Sequence, residues 1–416
     1  MTRVAVIGAG VAGLVAAREL DGVADVTVFE QANYAGGHTH THTVDIDGKS
    51  FRVDSGFIVC NARNYPHFTR MLGTLKVPLR DTEMSFSAHN TATGLEYNAA
   101  TISSLFCQKR NMFKPSFWRM LADIRRFYRN APALLAADDA GPSTGDYLRE
   151  GGYSAAFIDD HLIPMASALW SSPPDQVLDF PMRYMVQFFH HHQMLQISDR
   201  PQWRVVKNGS ASYVEALLER LQGTVELSNP VKRVRRHDDH VEVSTSNGTW
   251  RGDQVIFACH SDQALGLLET PSQQERDLLG AIRYQLNETV LHTDESILPR
   301  RRAAWAAWNA RVDPKAGNQC TVTYNMNILQ RLDAPVTFCV TLNQTDLIQP
   351  DKVLATMQYQ HPVYTHEAVA AQAQLGALNG QQRSHFCGAW HGWGFHEDGV
   401  VSGLSAAASA KAQLSA

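Results

Sequence analysis

Val4-Ala5-Val6-Ile7-Gly8-Ala9-Gly10-Val11-Ala12-Gly13 stands at the head of the chain. Four uniformly apolar residues followed by glycines predict a strand buried on both faces, as in a parallel sheet. The glycine turn runs into a helical pattern that continues to Leu20 and stops at Asp21-Gly22. Val26-Thr27-Val28-Phe29 reads as a second strand, with Glu30 at its end. Gly8 then makes the tight turn, Gly10 admits a pyrophosphate to the backbone, and Gly13 lets helix and strand pack closely, with Ala12 in the same turn. The helix N-terminus offers free N–H groups and the positive end of its dipole to a diphosphate. Glu30 is placed to accept hydrogen bonds from ribose hydroxyls. Glycine-rich turns without a ligand are common, but here strand, glycines, helix, strand and acid fall in register. The segment predicts a site for an adenosine diphosphate group.

The rest of the composition narrows the class. The 416 residues carry 37 basic and 41 acidic side chains, a net charge of −4, and are 44% hydrophobic. That is the balance of a folded chain long enough for two or three domains, and it argues against a general nucleic-acid binder. The six cysteines (Cys60, Cys107, Cys259, Cys320, Cys339 and Cys387) contain no CxxC pair. They suit neither a disulfide scaffold nor a zinc site. No apolar run approaches the 18 or so residues of a membrane span. The immediate first strand leaves no room for a signal peptide. A cytoplasmic location is expected, with peripheral contact at the inner face of the membrane as the variant discussed below.

After Glu30 the chain reads Gln31-Ala32-Asn33-Tyr34-Ala35-Gly36-Gly37-His38, then a polar strand ending Asp54-Ser55-Gly56-Phe57-Ile58. An acid followed by a glycine pair resembles the flavin amine oxidase and phytoene desaturase superfamily. The resemblance extends to the chain's phrases VDSGFIVCNARNYP, MSFS, RPQWRVV and FHEDG, and to a bacterial branch often associated with cyclopropane-fatty-acid synthase-type methyltransferases. It implies FAD as cofactor, with Gly36 and Gly37 contacting the dinucleotide and Gly56, Phe57 and Ile58 approaching the isoalloxazine ring. Gln31 and His38 are carried over with these, although the superfamily usually has Arg where this chain has His38. Val231 matches the position whose backbone meets adenine. Asp398, Gly399 and Val401 match the closing flavin motif at a helix N-terminus.

The implied fold is α/β: a Rossmann-type, glutathione reductase-like FAD-binding domain from residues 1–79, 203–264 and 384–416. An amine oxidase-like α+β substrate domain, from residues 80–202 and 265–383, is interleaved with it. Within the first insertion, residues 106–130 carry seven basic residues against one acid, Asp123. Phe117, Trp118, Met120, Leu121, Ile124, Phe127 and Tyr128 follow helical spacing across from Arg119, Asp123, Arg126 and Arg129. Two readings stand: a helix with its apolar face in the core, or a surface helix on anionic lipid. Arg300-Arg301-Arg302 with Trp305 and Trp308 forms a second basic-aromatic cluster and favours the lipid surface over RNA.

No catalytic base is legible. Tyr324, Trp390, His391, Trp393 and His396 are candidates to face the flavin, or merely to pack around it. His38, His40 and His42 alternate with threonines and share a face on a strand. Hydrogen bonding or packing suits them better than a metal. His190-His191-His192 point three ways on a helix and suit no single ion, so no metal is expected. Cys387 reads as a small buried thiol. The chemistry then belongs to the flavin, which takes a hydride. Three functions remain open: an oxidoreductase acting on a hydrophobic substrate such as a fatty-acid or phospholipid acyl chain, by dehydrogenation or double-bond movement; an amine or amino-acid oxidase; or a non-catalytic flavoprotein at a membrane surface. Oligomeric state is not legible.

Overall fold

The computed structural model describes residues 2–137, 139, 141–313 and 321–414, so Cys320 lies outside the described residues. Its base is a five-stranded parallel sheet in the order Thr224–Glu226, Asp25–Phe29, Arg3–Ile7, Gln254–Phe257, Ser384–Phe386. The central strands are apolar throughout because both faces are covered, as the run Val4–Ile7 predicts. Helix Val11–Leu20 follows the first glycine turn and packs along the C-terminal helix His396–Leu414. That contact is close because the second helix offers small residues. A Cβ at Gly403 would stand 2.4 Å from the Ala12 carbonyl oxygen, and one at Gly399 2.7 Å from Val11 Cγ1.

Over this base stands a seven-stranded sheet in the order Val353–Val363, Arg283–His292, Cys339–Leu342, Val322–Asn325, Trp308–Val312, Phe86–Asn90, Leu95–Asn98. Its pairings are antiparallel except between Phe86–Asn90 and Trp308–Val312, which are parallel. Helices from 115 to 191 pack around an aromatic core of Phe117, Phe127, Phe157, Phe180, Phe188 and Phe189. Burying one such side chain stabilises by about 2–3 kcal/mol.

Asp54 ties the two layers together. Fully buried, it accepts hydrogen bonds from Thr41 Oγ1 (2.5 Å), Ser210 N (2.9 Å) and Gln330 Nε2 (2.8 Å). Its own N–H donates to Gln330 Oε1 at 2.9 Å. Burial pushes its pKa up to about 6 against the pull of those donors.

Three expectations change. The single polar strand before Asp54 is a hairpin, Thr41–Ile46 with Lys49–Asp54, turning at Asp47-Gly48 with φ of 49° and 75°. Positive φ at both turn positions is the two-residue hairpin signature that Asp-Gly supplies. A further hairpin strand, Gly248–Gly252, pairs with Val241–Thr245. Helix Pro115–Asn130 turns its apolar face inward: Phe117, Met120 and Phe127 are buried, and the acid Asp123 is buried with them. Asp123 is held by Arg126 (3.0 Å) and Ser154 N (2.9 Å), so the middle of that helix is core and not a lipid-facing surface.

Candidate active site

The first glycine turn builds one end of a cavity of about 850 Å³. A Cβ at Gly13 would meet the Gly8 carbonyl oxygen at 2.0 Å and Ala258 Cβ at 3.0 Å, so Gly13 is fixed by helix–strand packing. A Cβ at Gly10 would meet nothing within 4 Å. Packing does not require glycine at position 10. The open space there, beside free helix N–H groups, fits a diphosphate. Glu30 accepts from Ala9 N (2.8 Å) and Ala32 N (2.9 Å), which leaves further lone pairs for ribose hydroxyls.

The second glycine turn closes against the first. Gly36 N–H donates to the Ala9 carbonyl (2.8 Å), and a Cβ at Gly37 would lie 3.2 Å from Gly10 Cα. Gly36 and Gly37 both hold positive φ, at 128° and 58°. Phe57 N–H donates to the His38 carbonyl (2.8 Å), which brings Gly56 against the same turn. Gly8, Gly10, Ala12, Glu30, Gln31, Gly36, Gly37, His38, Gly56, Phe57, Ile58 and Val231 all line the cavity.

Of the aromatic and histidine candidates, Tyr324, Trp390, Trp393 and His396 line it as well. His396 stacks on Phe57 with ring centroids 3.7 Å apart and planes at 9°. Its Nε2 shares a 2.6 Å hydrogen bond with the Tyr213 hydroxyl, which also bonds Thr39 Oγ1 at 2.6 Å. Burial drops the His396 pKa to about 3, so its ring is neutral. His38 points toward His260 and His361, with centroids at 6.0 and 5.4 Å, whereas His40 and His42 pair with each other at 4.1 Å. The three alternating histidines therefore do not form one face. Burial, then mutual repulsion, holds His38 well below the ordinary histidine range, and burial brings His361 to about 4.

Other expected residues stand elsewhere. His391 does not line the cavity; its ring lies against Trp390, with centroids 4.2 Å apart. Val401 is 43% exposed on the C-terminal helix, turned away from the face that carries Gly399 and Gly403. Asp398 and Gly399 also lie outside the lining. Asp398 accepts from Phe395 N (2.9 Å), and burial pushes its pKa up to about 7, so it shapes the turn before the helix. Cys387 is buried and free, and burial pushes its thiol pKa up strongly, which keeps it unreactive. Among the described residues, the groups that converge as a metal ligand set are His237, His240 and Glu242, on a hairpin turn and absent from the cavity lining.

Sequence reading missed the far walls. Trp170, Phe188 and His192 arrive from the helical layer, and Tyr359 and His361 from the long strand Val353–Val363. No local motif marks them, because helix packing brings the first three to the cavity and sheet register the other two. The lining contains no Arg, Lys or Asp among the described residues, and Glu30 is its one carboxylate.

Comparison with known proteins agrees with this geometry. The family model for flavin containing amine oxidoreductases matches residues 11–297. The flavin-dependent L-tryptophan oxidase RebO of Lentzea aerocolonigenes is 25% identical over 283 residues, 61% of this chain and 57% of that protein. This chain thus spans little more than half the length of that curated relative. Cyclohexylamine oxidase from Brevibacterium oxydans superposes with a TM-score of 0.72 at 15% identity, covering 100% of both chains. A fatty acid isomerase from P. acnes that produces CLA superposes with a TM-score of 0.65 at 15% identity, covering 97% of both. No helix among the described residues is long and apolar enough to cross a membrane. With the family model covering well over half of the chain, the chain belongs to the flavin-containing amine oxidoreductases, with FAD as cofactor.

Proposed function

We propose that this FAD-dependent oxidoreductase acts on an apolar chain, a fatty acid or the acyl group of a phospholipid, at a C–H activated by a neighbouring double bond or branch. One observation carries the reading. Beyond the dinucleotide turns, the cavity is walled by Met84, Leu169, Trp170, Phe188, Met194 and Leu342 together with uncharged polar groups such as Tyr324, Gln358 and Tyr359, with no Arg, Lys or carboxylate among them. An ammonium group entering such a space loses its hydration without a counter-charge, and an amino-acid carboxylate finds no guanidinium. An acyl chain loses nothing there and gains from leaving water.

FAD, when bound, supplies the hydride acceptor. The residues hold, orient and dry the substrate. The indole rings of Trp170 and Trp308 line the cavity and add to its apolar wall. Neutral histidines, with His192 and His361 both at about 4, keep fixed positive charge out of the space. Amine oxidation is the second reading, favoured by the family and by the tryptophan oxidase relative. Anaerobic mixing of the flavin-loaded protein with unsaturated fatty acids, phospholipids and amines, followed by mass analysis, separates the two. Altered acyl chains support the proposal. Flavin bleaching by amines alone overturns it.

A further inference from the structure

The charged segment at 106–130 splits into two parts. Its helix middle is core, as described above. Its beginning, with the short helix just before it, leaves large apolar side chains in water: Ile102 is 80% exposed, Phe113 83%, Trp118 51% and Met112 42%. They come from three successive pieces, the short helix Ile102–Leu105, the turn Lys109–Phe113 and the start of helix Pro115–Asn130. The Trp118 indole N–H donates to the Met112 carbonyl (2.8 Å), which holds the ring beside the Met112-Phe113 tip.

The fold then brings the second basic cluster to the same place, nearly 200 residues away in sequence. Arg300 N–H donates to Glu96 Oε1 (3.0 Å), and Asn98 Nδ2 donates to the Trp305 carbonyl (2.8 Å). The short helix Ile102–Leu105 packs against the turn Arg302–Ala304. Arg302 lies over Trp305, 4.9 Å from the ring centroid, and pairs with Glu295 at 3.1 Å. Lys109, Arg110, Arg300, Arg301 and Arg302 are all exposed. Among the described residues, Lys109, Arg300 and Arg301 have no ion-pair partner.

We propose that this face docks on the surface of an anionic lipid bilayer, with Ile102, Met112, Phe113 and Trp118 entering the headgroup region inside a ring of Lys and Arg. Charge complementarity selects the occupant. A second copy would bring the same cations against these and be repelled. Aliphatic tips such as Ile102 and Met112 give a nucleic-acid base nothing to stack on. Anionic lipid satisfies both halves of the patch: apolar tips find the acyl boundary, and cations find phosphate. The inference does not depend on what the cavity oxidises.

The test is flotation of the full-length, flavin-loaded protein with phosphatidylcholine vesicles and with vesicles that also carry phosphatidylglycerol. Binding to the anionic vesicles is expected to exceed binding to the neutral ones by about tenfold and to weaken as salt rises. Ile102→Ser with Phe113→Ser should cut binding about tenfold. Lys109→Glu with Arg301→Glu should remove the preference for anionic lipid. All four positions are exposed, so melting temperature and flavin content should match the parent in both variants. Equal binding to both vesicle types, unchanged binding in both variants, or binding to single-stranded RNA but not to vesicles would each overturn the proposal. Docking with no change in the acyl chains would leave it standing and sink the substrate reading instead.

Discussion

The backbone N–H of Gly36 donates to the carbonyl of Ala9 across 2.8 Å, locking two glycine turns from different parts of the cofactor site into one cradle. Within that cradle, Gly10 and Gly13 are glycines for opposite reasons, and substitution separates them.

Gly13→Ala forces a methyl to 2.0 Å from the Gly8 carbonyl oxygen, so helix and strand must part. A stability loss of about 1–3 kcal/mol is expected in chemical denaturation of the apoprotein. Gly10→Ala meets no atom within 4 Å and has a backbone angle of −73° that alanine accepts. Its apoprotein should melt like the parent while FAD affinity falls by at least about tenfold, read by fluorescence titration. Equal destabilisation of both variants would contradict this assignment.

FAD binding should couple to protons. The lining has no Arg or Lys, so His38, next to the Gly36-Gly37 turn and facing His260 and His361, brings side chains able to become cationic to the dinucleotide end of the cavity. All three are held neutral by burial. An anion beside them raises their pKa, so binding takes up protons. Affinity should therefore rise as pH falls below the ordinary histidine range toward about 4, provided the fold holds. His38→Gln should flatten the profile. A pH-independent affinity in the parent would refute the coupling.

Acid should also weaken the fold itself. His161, His192, His292 and His385 are buried, and burial brings each to about 4. Unfolded, they take up protons near 6.5. Their contribution is intact above that pH and is lost as pH falls toward about 4. Asp54 at about 6 and Asp398 at about 7, with Asp159 and Asp160 also raised by burial, act in the opposite direction. The lowered histidines, which also include His42, His361 and His396, outnumber them. The urea midpoint of the apoprotein should fall between pH 7 and pH 5; a rise would show that the carboxyls dominate.

Asp54→Ala removes the acceptor shared by Thr41, Ser210 and Gln330 and leaves their donors buried. A loss of about 2–4 kcal/mol is expected. Asp54→Asn, which keeps part of the network, should lose less.

The parallel sheet and dinucleotide turns are legible because their signals are local: an apolar run, glycines at fixed spacing, and an acid at a strand end. The Asp47-Gly48 hairpin was equally local and should have been read from its turn chemistry. Helix Pro115–Asn130 was ambiguous for a physical reason, since aromatic residues opposite arginines look alike against a core or against lipid. Asp123, buried and paired with the half-buried Arg126, decides it, and only packing reveals that pair. Trp170, Phe188 and His361 carry no local signal because helix packing and sheet register, not sequence spacing, set them around one cavity. Val401 was misplaced for want of the helix's rotation about its axis.

The central claim is that the charge-free wall at Met84, Leu169, Trp170, Phe188, Met194 and Leu342 receives an apolar chain. Anaerobic mixing of the flavin-loaded protein with an unsaturated phospholipid, with product masses read from the same sample, tests it most directly. The account predicts an acyl chain that has lost two hydrogens as the yellow absorbance fades, or one whose double bond has moved with no net fading. Unchanged lipid, with rapid bleaching by a primary amine or by L-tryptophan, would contradict it.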